Sequence, residues 1–129
     1  MKRSTSDPEL VRAILDNIVT AIDRIERRFS RIDKPSDFTS TDEGIDRLDA
    51  ITMMLIAIGE QLKKLDAVVD VNLDICYPEV DWKGAKGIRD FLSHHYFALD
   101  AEVIFDVCET KLAGLKAAIL DLDDTYASH

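Results

Sequence analysis

The segment Gly87 to Asp100, "GIRDFLSHHYFALD", collects many of the side chains of this protein that could do chemistry. It holds Arg89, two of the three histidines, His94 and His95, and Tyr96. An imidazole with an unperturbed pKa of about 6.5 can accept or release a proton near neutral pH. A guanidinium keeps its charge and binds phosphate through a fork of N–H donors. Arg89 and His94 are therefore the first candidates for a catalytic pair.

Such a pair suits metal-free cleavage of a phosphodiester. His94 would transfer a proton, Arg89 would stabilise charge developing on the phosphate, and the neighbouring 2′-hydroxyl of RNA would be the nucleophile. On a regular helix the two residues, five positions apart, diverge by about 140°. A local bend, the reach of the arginine, or a second copy of the segment across a two-fold axis would bring both to one phosphate.

Two further side chains belong to the same geometry. Asp90 lies four residues before His94 and can hydrogen-bond its imidazole, and Tyr96 lies seven residues after Arg89 on the same helical face. A grouping of Arg, Asp and His on a helix is also typical of a salt-bridged surface or of a satisfied polar cluster in a core. The residues alone leave both interpretations open.

The charge of the chain restricts any role with nucleic acid. A net charge of −9 repels nucleic acid at long range, so binding requires a local basic surface. Lys83, Lys86 and Arg89 recur every three residues just before the histidines. This row is the place where the sequence predicts that an anion binds.

Neither a metal nor a cofactor is predicted. Adjacent His94 and His95 point to different helical faces, and no further Cys or His lies at zinc-ligand spacing. The acidic run "DLDD" lacks the glycine and the bidentate glutamate of a calcium loop. Cys76 and Cys108 are expected to be small buried hydrophobic residues. With no disulfide framework, signal peptide or apolar run of roughly 20 residues, the sequence predicts a cytoplasmic protein without a membrane partner.

The scaffold is predicted to be a single all-α domain covering residues 1–129, an up-and-down bundle of four to five helices. Ser6 or Asp7 caps a first helix that begins at Pro8 and runs to about Ile32, with an apolar stripe starting at Leu10. The pair Ser40 and Glu43 predicts the start of a second helix, which has a stripe from Ile45 and runs to about Leu65.

The second half of the chain carries the segment of interest. A short helix or turn is expected in "DAVVDVNLDICYPEVDW", after which Asp81 caps a helix through "WKGAKGIRDFLSHHY". Asp100 is expected to cap one last helix that reaches Leu122. Four residues of the motif region are predicted to lie in the core: Phe91, Leu92, Phe97 and Leu99.

The segment "RDFLSHHY" resembles the Arg-x4-His-x-Tyr motif of the HepT toxins, a branch of the HEPN superfamily of small all-helical ribonucleases. "IGEQLKKL" at 58–65 is similar to the second helix of that family, and "YPEVDWKGAKGIRDFLSHHYFALD" to its approach to the motif. The similarity spans Ile58 to Phe105, about half the chain. The N-terminal helix resembles the family only in pattern.

The resemblance implies a metal-independent endoribonuclease that acts as the toxin of a type VII-like toxin–antitoxin pair. It places Arg89 and His94 in the catalytic positions and Asp90 in the polar position after the arginine. Tyr96 takes the position that a minimal nucleotidyltransferase antitoxin, MntA, modifies with AMP. A homodimer with both copies of the motif in one cleft is also implied, which would reconcile the divergent directions of the catalytic pair.

RNA, rather than DNA, is the expected substrate, and Lys83, Lys86 and His95 are expected to contact it. His95 falls on a variable position of the motif. Because an isoelectric point of about 4.7 is low for a protein that cleaves RNA, Lys83 and Lys86 are expected to carry most of the RNA binding. Two other functions stay open: a catalytically silent subunit that binds and regulates a nucleotidyltransferase, and a plain dimeric interaction module. An adjacent gene for a small nucleotidyltransferase would favour the ribonuclease or the silent subunit over the interaction module. Activity on RNA would then separate the ribonuclease from the silent subunit.

Overall fold

A computed structural model describes residues 7–93 and 101–127 of the chain. Within these ranges the secondary structure is helical and contains no strand, which confirms the predicted all-α class. The helices are α1 (Pro8–Phe29), a short 3₁₀ helix (Pro35–Phe38), α2 (Asp42–Val68), α3 (Leu73–Cys76), α4 (Trp82–Lys86), α5 (Ile88–Ser93), α6 (Ala101–Thr110) and α7 (Leu112–Ala127). Helix α1 packs against α2 and α7, and the motif helices α4 and α5 pack against α2.

The start of α1 follows the sequence prediction. The Asp7 carboxylate accepts a hydrogen bond from the Glu9 backbone N–H at 3.0 Å, and Pro8 is the first helical residue. Proline fits there because the missing N–H would have no partner in the first turn. The helix ends at Phe29, three residues before the predicted Ile32.

The start of α2 lies one residue later than predicted. Thr41, in an extended backbone conformation, is the cap, and its hydroxyl accepts a hydrogen bond from the Gly44 N–H at 2.9 Å. The predicted cap at Ser40 is therefore wrong. The helix continues to Val68, three residues beyond Leu65, and so provides a long surface on which α4 and α5 lie.

The core lies between α1, α2, α6 and α7, whose inward faces are lined by branched aliphatic side chains. Its fully buried members include Leu15, Ile18, Ile22, Ile25, Ile51, Leu62, Leu65, Ile104, Ile119 and Leu122. The first residue of each predicted stripe is outside this core, because Leu10 and Ile45 lie in the first turns of their helices and are exposed. The predicted apolar stripes therefore begin before the buried face of each helix does.

Two predicted helices are each divided. The helix expected through residues 82–96 ends as α4 at Lys86, and α5 begins at Ile88. Gly87 between them has the low helix propensity that favours such an interruption. The last helix is likewise divided between Thr110 and Leu112. The cap predicted at Asp100 lies outside the described residues.

The loop before α4 is hydrogen-bonded to α7. The Trp82 indole N–H donates to the Tyr77 carbonyl oxygen at 3.1 Å, and the Tyr77 hydroxyl donates to the Asp121 carboxylate of α7 at 2.7 Å. Partial burial is the main reason that the pKa of Tyr77 is raised, and the hydrogen bond to Asp121 raises it further. Asp81 then caps α4 as predicted, accepting from the Gly84 N–H at 3.0 Å. These contacts fix the point from which the motif helices start.

The two cysteines have different environments. Cys108 on α6 is buried as predicted, and this burial raises the pKa of its thiol to about 12. Cys76 is exposed, so the prediction that it is buried is wrong. It ends the four-residue helix α3, of which only Leu73 is buried in the core.

Candidate active site

Arg89 is held at the surface between two helices. It lies in the first turn of α5, and its Nη1 atom makes an ion pair and hydrogen bond with the Glu60 carboxylate of α2. The Arg89 side chain is 59% exposed and that of Glu60 is 44% exposed. The guanidinium is therefore anchored on one side and open to solvent over much of the rest.

The other members of the predicted motif are only partly described. Asp90 follows Arg89 on α5 and is exposed. His94, His95 and Tyr96 lie outside the described residues. The hydrogen bond predicted between Asp90 and His94, and the helical face that Arg89 was predicted to share with Tyr96, therefore stay predictions.

The predicted basic row is partly neutralised. The Lys86 ammonium pairs with the Asp66 carboxylate of α2 at 3.1 Å, in the same way that Arg89 pairs with Glu60. Lys83 is exposed and has no ion pair within the described part of the chain. Since two of the three cations already face a carboxylate, the row presents less net positive charge than its spacing indicates.

Gly59 allows α4 and α5 to approach α2 closely enough for these pairs to form. A Cβ atom at Gly59 would lie 2.8 Å from the Ala85 carbonyl oxygen and 3.1 Å from the Ile88 Cγ2 atom. Both distances are shorter than normal contacts, and a backbone oxygen moves only if the helix moves. By contrast, a Cβ at Gly114 on α7 would have no atom within 4 Å.

This difference gives a matched pair of substitutions. Gly59→Ala is expected to lower the free energy of unfolding by about 1–3 kcal/mol, because the added methyl forces the helices apart. Gly114→Ala is expected to raise it by about 0.5–1 kcal/mol, since alanine favours a helix and meets no neighbour. Urea denaturation followed by circular dichroism measures both. A Gly59→Ala protein as stable as the Gly114→Ala protein would contradict the close packing of α4 and α5 on α2.

A cavity of about 670 Å³ borders the motif helices. It is lined by Ile58 of α2, Ile88 and Phe91 of α5, and Val103 and Val107 of α6, among others. Phe91 is 46% exposed, so its predicted place in the core is wrong. The Phe91 side chain lines this cavity.

The rest of the core prediction for this region has two outcomes. Leu92 is 3% exposed and confirms its predicted burial. Phe97 and Leu99 lie outside the described residues. Helix α5 therefore buries Leu92 fully and Ile88 partly, and it directs Arg89 toward Glu60 at the surface.

The sequence profile described as "Ribonuclease HepT-like" matches residues 18–122 of the chain. The chain belongs to the HepT-like ribonuclease family. The match covers α2 to α6 completely and reaches back into α1, further than the similarity from Ile58 to Phe105 that the motifs alone indicate. It includes the whole segment from Arg89 to Tyr96.

A curated relative of this HepT-like protein comes from Methanocaldococcus jannaschii and is named "Putative RNase MJ0127". The two sequences are 40% identical over 63 residues, which are 49% of this chain and 49% of the relative. The chain thus spans about half the length of the curated relative it matches. No solved structure matches the chain significantly.

Two general properties of the HepT-like chain follow from the described ranges. Among residues 7–93 and 101–127, no group of three or more His, Cys, Asp or Glu side chains is arranged to hold a metal ion. None of the helices in these ranges is long and apolar enough to cross a membrane.

Glu60 is the member of the HepT-like site that sequence analysis missed. It lies within the quoted segment "IGEQLKKL", but 29 positions separate it from Arg89, and no rule of helical spacing joins residues so far apart. The small residue before it was a usable signal, because a glycine inside a helix marks a place of close packing. Asp66, the partner of Lys86, was missed because 20 positions separate the two residues.

Proposed function

We propose that this protein is a metal-independent endoribonuclease, the toxin of a HepT and MntA type toxin–antitoxin pair. The observation that carries the proposal is the solvent-exposed guanidinium of Arg89, anchored by Glu60, within a chain whose family is that of the HepT-like ribonucleases. A phosphate that reaches the surface of α5 can bind the donors of Arg89 that face solvent.

The proposed reaction uses the RNA itself as nucleophile. His94 accepts the proton of the 2′-hydroxyl, whose oxygen attacks the adjacent phosphorus, and the bond from phosphorus to the 5′-oxygen breaks. The leaving oxygen takes up a proton, and the products are a 2′,3′-cyclic phosphate and a 5′-hydroxyl. Arg89 stabilises the negative charge on the phosphate oxygens in the transition state. Asp90 orients His94 through a hydrogen bond.

Two copies of the chain would form the active unit. In a C₂ homodimer the same surface meets itself, so that the two motifs lie close together and Arg89 of one protomer can act with His94 of the other. Lys83, which has no ion pair among the described residues, would contact the RNA backbone together with Lys86 and His95. Because Lys86 pairs with Asp66, RNA must replace that carboxylate to use it.

The proposal also includes regulation by a partner. An MntA-type nucleotidyltransferase would transfer AMP to Tyr96 and so block the site. We also propose that residues 1–129 form one HEPN-like domain. A catalytically silent subunit that binds the nucleotidyltransferase through the same segment is the alternative, and the exposed ion pair of Arg89 alone is compatible with it.

Incubation of the purified, unmodified protein with total RNA tests the proposal. We expect endonucleolytic fragments that end in a cyclic phosphate, in equal amounts with and without EDTA. Fragments that disappear in the presence of EDTA would contradict the metal-free mechanism. Intact RNA, together with a stable complex between the protein and a neighbouring nucleotidyltransferase, would favour the silent subunit.

A further inference from the structure

Glu60 contacts only one nitrogen of the Arg89 guanidinium. The ion pair uses Nη1, and within residues 7–93 and 101–127 Arg89 has no second hydrogen-bond or ion-pair partner. The Nε and Nη2 atoms form a separate edge with parallel N–H donors. This edge matches two oxygens of a phosphate in the bidentate geometry that arginine favours.

The protein provides rigid support on the Glu60 side of this contact. Glu60 lies in the interior of the 27-residue helix α2, directly after Gly59, where the backbone of α4 comes closest. Arg89 lies on α5, a helix of six residues that buries Leu92. A long, exposed arginine side chain on such a short helix would otherwise sample many rotamers. The carboxylate restricts that sampling.

We infer that Glu60 is a positioning residue, which holds the Arg89 guanidinium by Nη1 so that its Nε and Nη2 edge faces the substrate phosphate. This inference rests on the proposed function for its catalytic consequence. Glu60 does not touch the RNA and acts only through Arg89. Glu60 would contribute to the rate by fixing the orientation of the Arg89 guanidinium, because small displacements of a transition-state contact lower the rate much more than they lower binding.

The alternative role of the Glu60 carboxylate is to compete with the RNA phosphate for Arg89. In that case Glu60 would occupy Arg89 as a substitute for phosphate, and the RNA would have to displace it. The two roles depend on different properties of the side chain: positioning needs a hydrogen-bond acceptor, whereas competition needs the negative charge. Glutamine keeps an acceptor oxygen at the same place and removes the charge, so it separates them.

The kinetic test compares Glu60→Ala and Glu60→Gln on a single-stranded RNA oligonucleotide that the unchanged protein cleaves. We expect Glu60→Ala to lower kcat about tenfold without raising KM. We expect Glu60→Gln to keep kcat within about twofold, because the neutral hydrogen bond still orients Arg89. Asp49→Ala, an exposed carboxylate eleven positions earlier on α2, removes the same charge and is expected to leave kcat unchanged.

A kcat that rises in both Glu60 variants, with a lower KM, would overturn positioning in favour of competition. A kcat that is equally low in Glu60→Gln and Glu60→Ala would also overturn it, since the acceptor would then be without effect. Circular dichroism of each variant confirms that the fold is kept.

A second readout does not depend on RNA cleavage. Nuclear magnetic relaxation of the Arg89 Nε–H group reports its order parameter, which falls with side-chain mobility. We expect a lower order parameter in Glu60→Ala and a retained one in Glu60→Gln. An unchanged value in Glu60→Ala would overturn the inference even in an active enzyme. If the order parameter falls as expected but the unchanged protein leaves RNA intact, the proposed function fails while the anchoring of Arg89 by Glu60 is supported.

Discussion

His94→Ala is expected to lower the rate of RNA cleavage by about 10²–10⁴-fold, the usual effect of removing a general acid or base. Arg89→Ala is expected to lower it by about 10²–10³-fold, the usual effect of removing a donor that stabilises charge in the transition state. The first substitution removes proton transfer, and the second removes the charge that stabilises the phosphate. Arg89 is exposed, so we expect its removal to leave the fold intact. Cleavage of an RNA oligonucleotide under single-turnover conditions measures the rate of the chemical step.

Matched controls exist for both substitutions. Arg12 is also an exposed arginine with one carboxylate partner, Asp123 at 3.1 Å, so Arg12→Ala removes the same charge and a similar ion pair. His95→Ala removes the adjacent imidazole and is expected to weaken RNA binding without abolishing the chemical step. Cleavage that survives His94→Ala would contradict the proposed mechanism, and so would an Arg12→Ala protein as inactive as Arg89→Ala.

Modification of Tyr96 with AMP is expected to abolish RNA cleavage, and Tyr96→Phe is expected to escape the antitoxin while it still cleaves RNA. In the transfer, the phenol oxygen attacks the α-phosphorus of ATP, loses its proton, and releases pyrophosphate. The attached group would place a phosphate anion near Arg89, where it would compete with the substrate phosphate. Phenylalanine lacks the attacking oxygen, so the nucleotidyltransferase could not act on it.

Intact-mass analysis after co-expression with the neighbouring nucleotidyltransferase tests this expectation. Unchanged protein should carry the mass of one adenylyl group or more, and Tyr96→Phe none. Tyr77→Phe is the control, because the Tyr77 hydroxyl is already bound to Asp121. We expect the Tyr77→Phe protein to be modified normally. A Tyr96→Phe protein that is still neutralised through modification would rule out Tyr96 as the regulated residue.

Sequence signals that act over a few residues predicted the structure well. The Asp7 and Asp81 side chains cap N–H groups two and three positions away, and Pro8 is the first helical residue; all three features are confirmed. The division of the motif helix at Gly87 was not predicted. A single glycine is tolerated in many helices, so its effect here depends on packing against α2 that the sequence pattern does not contain.

Features that depend on distant parts of the chain were missed. The carboxylates that pair with Arg89 and Lys86 come from α2, so the basic row was predicted without the two acidic residues that partly neutralise it. The exposure of Phe91 depends on a cavity formed together with α6. For the candidate site, the type and order of the motif residues were predictable, whereas their electrostatic surroundings required the packing of helices.

The pairing of Arg89 with Glu60 and of Lys86 with Asp66 has a consequence for how RNA reaches the protein. A chain with a net charge of −9 whose motif cations are largely neutralised exerts little long-range attraction on a polyanion. Encounter then relies on undirected diffusion, and added salt speeds it by screening the repulsion. Once RNA is in contact, the same salt weakens the phosphate contacts. Association and dissociation would thus both accelerate with ionic strength, in contrast to basic nucleases, whose association slows.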